Sequence, residues 1–439
     1  MTAVPIGKQA LANASKLERI EQNMSGTLKR ELGLLDAVGI GLGAVMGAGI
    51  FVVTGVAAGT AGPAFLLGLA VAGMAATFNG LSSAQLAARY PQSGGSYEYG
   101  CILLSPAAGF AAGWMFLASK LAAAGTVALG FGHYATALFP GVPPVAAAGV
   151  AVVFVTVANL FGIKKAGKLN LAIVTLTSIS LLTFVGAGIP SFNVKNLTPF
   201  APHGWHGVAE SSALLFFAYT GYARLATLGE EVRDPATTIP KAILTTLILS
   251  FVLYLAVGTI AAGSVGAGVL AASRSPLEKA AESFAFPALS KLLAVGATTA
   301  MLGVLLSQIL GISRMMLAMA RRGDLPIYFS KIENHNGIPT RGILTTGSIA
   351  LTLALVGTLE MVISAAAFTI LIYYSITNIA ALKMRREDQL YPRWIAWSGL
   401  ASCIAMALSL KPATAISGIA LLTIGFLLRS LKCTKTSSD

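Results

Sequence analysis

Gly39-Ile-Gly-Leu-Gly-Ala-Val-Met-Gly-Ala-Gly-Ile-Phe51 lies inside an apolar stretch long enough to span a bilayer, and Gly39, Gly41, Gly43, Gly47 and Gly49 punctuate it. Each interior glycine weakens a helix by roughly 0.5–1 kcal/mol relative to alanine, so this segment is expected to break. Non-helical backbone at membrane depth is tolerated only where it is buried in protein or lines a water-filled cavity. Discontinuous helices of this kind are where secondary transporters hold their solutes.

The surrounding composition is that of a membrane protein. Hydrophobic residues make up 55% of the 439 and charged residues 11%, against about 25% charged in a soluble domain; mean hydropathy is +0.77. The net charge of +13 resides almost wholly in short connections between apolar segments, a topology signal rather than a nucleic-acid-binding face. Cys101, Cys403 and Cys433 make no disulfide or metal spacing. Residues 1–30 show no apolar core before a small-residue cleavage site, so no signal peptide is expected.

Segments of about 20 apolar residues recur at residues 36–60, 63–88, 106–138, 144–162, 169–189, 209–230, 241–264, 287–319, 341–358, 361–382, 394–410 and 413–430. The expected fold is therefore all-α and polytopic, with twelve transmembrane helices. Of the 30 Lys and Arg residues, Lys195, Arg274, Lys279, Lys291 and Lys411 fall on one side, Lys120 lies within a span, and the rest fall on the other side. The positive-inside rule then places both termini in the cytoplasm.

A second glycine-interrupted stretch, Phe216-Phe-Ala-Tyr-Thr-Gly-Tyr222, falls in the sixth expected span. Five spans separate the two interruptions, so spans one to five and six to ten form two repeats, each opening on a broken helix. An odd number of spans per repeat inverts their orientation. The chain divides into a cytoplasmic segment (1–35), a first repeat (36–190), a second repeat (191–383), two extra helices (384–431) and a cytoplasmic tail (432–439).

Four stretches carry a family resemblance: Gly43 to Phe51; Tyr90-Pro-Gln-Ser-Gly-Gly-Ser-Tyr-Glu-Tyr99; Phe216 to Tyr222 with Gly229-Glu-Glu-Val-Arg-Asp-Pro-Ala-Thr-Thr-Ile-Pro-Lys241; and Ser313-Arg-Met-Met-Leu-Ala-Met-Ala-Arg-Arg-Gly-Asp-Leu-Pro326. In these the chain resembles the amino acid–polyamine–organocation superfamily of permeases, near its bacterial and cationic-amino-acid-transporter-like members. The resemblance implies a LeuT-type 5+5 inverted repeat with helices 1 and 6 broken, and a solute site shared by Val45, Met46, Gly47, Ala48, Gly49 and Ile50 with Phe217, Ala218, Tyr219, Thr220, Gly221 and Tyr222. Amides near Gly47 to Ile50 would receive a carboxylate at a helix N-terminus. Carbonyls near Val45, Met46, Phe217, Ala218 and Thr220 would receive an ammonium. Phe217 matches the family's outer gate.

Lys120 stands mid-span, where a charge costs at least about 2.5 kcal/mol on insertion scales. It is a titrating group that couples transport to protons, a cation facing an anionic solute group, or a structural lysine hydrogen-bonded to carbonyls. Proton-coupled relatives carry a lysine in span five where this chain has Thr177 or a near neighbour, so coupling uses Lys120, a sodium ion held near Thr177, or solute exchange. Some cationic-substrate relatives carry an acid where this chain has Ala223. Neutral amino acids are thus the first expectation, with cationic amino acids, polyamines or other amines as the alternative. A channel or sensor on the same fold is the reading of another class. No metal site, catalytic residue, cofactor or nucleic-acid partner is expected; the coupling ion is Na+ or H+. The expected partners are a small amino acid or amine and the lipid bilayer, with the chain a monomer or homodimer. The expected location is the cell membrane.

Overall fold

The computed structural model describes residues 32–91, 94–161, 166–227, 231–286, 288–332 and 338–435, and they are almost entirely helical. The first interrupted segment is α1 (Leu34–Val45) followed by α2 (Thr54–Ala61), and α3 (Phe65–Arg89) runs back beside it. A short α4 (Ser96–Leu103) precedes α5 (Pro106–Leu138), α6 (Pro144–Phe161) and α7 (Ala166–Gly188). The second interrupted segment comprises α8 (Gly204–Tyr219) and the single turn α9 (Ala223–Ala226). Then follow α10 (Pro235–Val265), the short α11 (Ala267–Ala272) and α12 (Pro276–Ala281), α13 (Ala288–Arg321), α14 (Thr340–Val356), α15 (Leu359–Lys383), α16 (Arg393–Ser409) and α17 (Pro412–Lys435).

Eight stretches among the described residues are long and apolar enough to cross a membrane. The first, Leu34–Arg89, is 56 residues long, more than twice what one crossing needs. Helices overlie each expected segment, but α8, α14 and α16 are only 16, 17 and 17 residues long. The sixth segment also begins earlier than its hydropathy suggests, at Gly204 (φ +62°), and residues 228–230 at its expected end lie outside the described residues. Large apolar side chains such as Val150, Phe154, Phe161, Leu182, Leu408 and Ile416 are exposed on the outer helices. Apolar surface of that extent marks contact with lipid rather than water. This is a multi-pass membrane protein.

Packing sets α1 and α2 at the centre. Helix α10 lies along both α1 and α3, α8 lies along α2 and α3, and α5 is held between α13 and α15. Small residues allow these approaches: a Cβ on Gly41 would lie 2.5 Å from Thr246 Oγ1, and one on Gly68 would lie 2.5 Å from Ser211 Oγ.

The connections are also tied down. At one end of the bundle, Leu32 bridges the segment after α9, its amide donating to Glu231 O (3.1 Å) and its carbonyl accepting from the Arg233 amide (2.9 Å). At the same end Tyr97 Oη donates to Asp324 (2.7 Å), Arg429 pairs with Asp324 (2.9 Å), and Arg322 pairs with Glu98. At the other end Asn196 Nδ2 donates to Gly263 O (2.7 Å), fastening the connection before α8 onto α10.

Candidate functional site

The glycine-rich stretch leaves the α-helix where the sequence predicts. Helix α1 stops at Val45; Met46 turns out of it (φ −72°, ψ 89°), and Gly49–Val53 form a π-helical turn that feeds α2. The second stretch behaves more mildly. Helix α8 tightens into a 3₁₀ turn at Thr220–Tyr222, where the Thr220 hydroxyl donates to Phe217 O (2.9 Å), and continues as α9.

The two interruptions touch backbone to backbone. A Cβ on Gly49 would lie 2.5 Å from Ala218 Cα, and one on Gly221 would run into the Ala44 carbonyl and come within 2.5 Å of Val45 N. Each broken segment thus contributes a glycine against the other's main chain. Of the twelve expected solute-site residues, Val45, Gly49, Ala218 and Gly221 meet at this contact, whereas Tyr219 reaches away to Leu69 O and Tyr222 packs on Tyr374, and only Gly221 lines a cavity. Met46 to Ile50, Phe217 to Thr220 and Tyr222 are buried, whereas Gly221 is partly open.

Breaking a helix orphans carbonyls, and tyrosines from neighbouring helices take two of them. Tyr254 Oη on α10 donates to Val45 O (2.9 Å), and Tyr134 Oη on α5 donates to Phe51 O (2.7 Å) while accepting from the Leu277 amide (3.3 Å). Thr54 Oγ1 donates to Ile50 O (2.7 Å). Neither tyrosine was singled out by sequence reasoning. The available signal was a tyrosine within an apolar span, in mid-span for Tyr254 and near the end for Tyr134, since a buried Tyr hydroxyl needs a partner.

A cavity opens on each side of the contact. The one on the face opposite Leu32 has a volume of about 510 Å³, reaches Val52 and is walled by Gly55, Thr60, His203, His206 and Glu210. On the Leu32 face, a cavity of about 620 Å³ reaches Ala44 and Gly221, and Phe116, Lys120, Arg224 and Gln308 line it. Lys120 and Arg224 therefore share one chamber beneath the interruptions. Lys120 makes no ion pair or hydrogen bond with a described residue; its ammonium lies 5.6 Å from the centre of the Phe116 ring.

Thr177 is elsewhere. It is fully buried between α7 and α13, donating to Ile173 O (2.8 Å) and reaching Gly296 O at 3.5 Å. Its neighbour Ser178 is the residue that meets the break, with Oγ 3.6 Å from Met46 Sδ. Of the histidines, His203 and His206 face the cavity opposite Leu32, and His335 lies outside the described residues. Among the described residues, no three His, Cys, Asp or Glu side chains are grouped to hold a metal ion.

A multi-pass helical membrane protein whose two interrupted helices meet between cavities on opposite faces has the form of a solute transporter. The chain belongs to the amino acid permease family, within the amino acid–polyamine–organocation superfamily; the family model matches residues 36–439. It is 40% identical over 402 residues to an uncharacterized transporter of Mycobacterium tuberculosis, covering 91% of this chain and 90% of that one. It is 28% identical over 439 residues to the branched-chain amino acid permease BcaP of Bacillus subtilis, covering 94% of each. It is also 28% identical over 354 residues to cationic amino acid transporter 3, mitochondrial, of Arabidopsis thaliana, covering 74% of this chain and 58% of that one. The family and the names of its members are those of transporters, and amino acids are the solutes the family implies.

Proposed function

We propose that this protein is a secondary active transporter that moves amino acids, neutral ones first, across the cell membrane by alternating access. In this reading the chain crosses the bilayer twelve times. Spans one to five and six to ten form the inverted repeat, two further helices follow, and both termini are cytoplasmic. The cavity on the Leu32 face is then the inner one. The observation that carries the proposal is the glycine-mediated contact of Gly49 with Ala218 and of Gly221 with Ala44, set between two cavities that do not join through it.

Opening that contact by rocking one group of helices against another would expose the amides of Gly47 to Ile50 to a carboxylate and the carbonyls of the two interruptions to an ammonium. Phe217, buried at the contact, would act as the outer gate. Tyr254 already occupies Val45 O, so an ammonium there either uses that oxygen's second lone pair or displaces the hydroxyl. Lys120 is the first coupling group for protons. Thr177 would serve a sodium ion only after a rearrangement of α7, which makes Ser178 the better candidate there.

A branched-chain amino acid permease among the relatives supports neutral solutes. A cationic amino acid transporter among them keeps the cationic alternative in view; the cations lining the inner cavity argue against it. Counterflow in proteoliposomes tests the proposal without assuming any coupling ion. Vesicles loaded with each common amino acid and several amines should accumulate labelled trace solute for a defined subset of amino acids. No saturable uptake across the panel, from protein shown to be folded, would reject it.

A further inference from the structure

The inner cavity is strongly basic. Lys120 from α5, Arg224 from α9, and Arg314 and Arg321 from α13 line it, and Glu231 is the one carboxylate on its wall among the described residues. None of the four cations has a carboxylate within 4.0 Å among the described residues. Lining one cavity, these like charges repel one another.

Two partly buried side chains there each have one fully buried polar atom without a hydrogen-bond partner among the described residues, Arg224 at Nε and Gln308 at Oε1. The seat of Arg224 is shaped for it, because a Cβ on Gly311 would lie 2.9 Å from Arg224 Nη1. Lys120 and Arg224 are partly buried and face the cavity, so an anion admitted there would find both charges without a carboxylate partner among the described residues. The remaining wall is largely apolar, with Phe116, Val304, Ile312 and Met315, which lowers the local dielectric and strengthens whatever charge the cavity admits.

We infer that the inner cavity is an anion site, with Lys120 and Arg224 at its closed end, and that the solute occupying it carries a carboxylate and a net negative charge. A zwitterion also brings an ammonium into a cavity whose wall, among the described residues, carries four cations and one carboxylate, Glu231. An amino acid with a second carboxylate, or a carboxylate lacking an amine, meets the field without that penalty. The inference rests on the transporter reading and replaces its neutral-first solute class with an acidic one.

The test is ligand-dependent thermal stabilisation of the full-length protein in detergent at constant ionic strength, with aspartate, succinate, leucine and chloride as sodium salts or free solute. Ligands that bind the folded state raise the midpoint in proportion to their saturation. Aspartate alone stabilising identifies an amino acid with a second carboxylate; aspartate and succinate together identify a carboxylate that needs no amine. Lys120→Met and Arg224→Gln should each weaken the response tenfold or more. Glu231→Gln should leave it intact or tighten it, which a merely structural role would not do. If Arg224→Gln fails to fold, Lys120→Met decides.

Leucine stabilising as well as aspartate, or Lys120→Met leaving the aspartate response unchanged, would overturn the inference. So would chloride alone producing the full effect. Leucine counterflow without anion binding removes this inference and leaves the permease reading. Anion binding without counterflow of any amino acid does the reverse.

Discussion

Gly221→Ala adds one carbon where the two interruptions meet main chain to main chain. That carbon would collide with the Ala44 carbonyl and lie 2.5 Å from Val45 N, whereas carbon contacts are comfortable at about 3.5–4.0 Å. The obstructing atoms are main chain of the broken segment itself, so neither α1 nor the 3₁₀ turn relaxes without moving the other. Overpacking of a well-filled interior costs about 1–3 kcal/mol, and a backbone clash belongs at the upper end. Gaining a better helix former offsets about 0.5–1 kcal/mol, leaving a net loss of about 2 kcal/mol.

In a chain of this size that loss lowers the unfolding midpoint by a few degrees. Transport should fall by at least tenfold, because the segments no longer close on one another. Gly186→Ala is the control, since a Cβ there meets nothing within 4 Å; it should be neutral or stabilising by about 0.5 kcal/mol. Thermal unfolding in detergent and counterflow on the same preparations measure both quantities. Wild-type stability and activity in Gly221→Ala would refute the claim that the two interruptions close on each other.

Other outcomes follow from particular contacts. Tyr254→Phe removes the donor to Val45 O and should cost about 1–3 kcal/mol of stability, read by the same unfolding assay; an unchanged midpoint would mean that the carbonyl finds another donor. Burial pushes the Glu98 carboxyl above its usual range and Arg322 pulls it only part of the way back. Its contribution to stability is therefore full in acid and lost as pH rises through the raised pKa. The midpoint of wild type should fall relative to Glu98→Gln as pH rises above the ordinary carboxylate range, by less than about 1 kcal/mol because Arg322 is partly solvated. The opposite trend would show that the ion pair dominates. Lys120→Ala should flatten the pH dependence of uptake; unchanged dependence in a variant that inserts and transports would end its role as the coupling group.

Much of the fold is legible in the sequence because a bilayer imposes length, apolarity and charge sidedness on each segment. The break at Met46 is legible too, since glycine spacing declares where a helix is weak. The second interruption is expressed less sharply: one glycine, Gly221, accompanies a 3₁₀ tightening held by the Thr220 hydroxyl, a detail of hydrogen bonding that hydropathy does not encode.

Site partners drawn from distant spans were the least visible. Tyr134 and Tyr254 reach the broken helix across 83 and 209 residues of sequence, and only the packing of α5 and α10 brings them there. Lys120 announces itself as a charge in an apolar run. That it shares a chamber with Arg224 and Arg314 depends on how α5, α9 and α13 converge. At the span-five position read as Thr177 or a near neighbour, counting along the helix leaves the choice open, and it is Ser178 whose hydroxyl lies beside Met46.

Alternating access is most directly tested by labelling from the two faces. In a background with Cys101, Cys403 and Cys433 replaced by serine, Thr60→Cys lines the outer cavity and Ser307→Cys the inner one. A membrane-impermeant maleimide is applied to vesicles of known orientation, with and without a transported solute. The account predicts that solute changes the labelling rates at the two positions in opposite directions. Rates that rise together, or that show both positions open at once to one aqueous path, would contradict it and favour a channel.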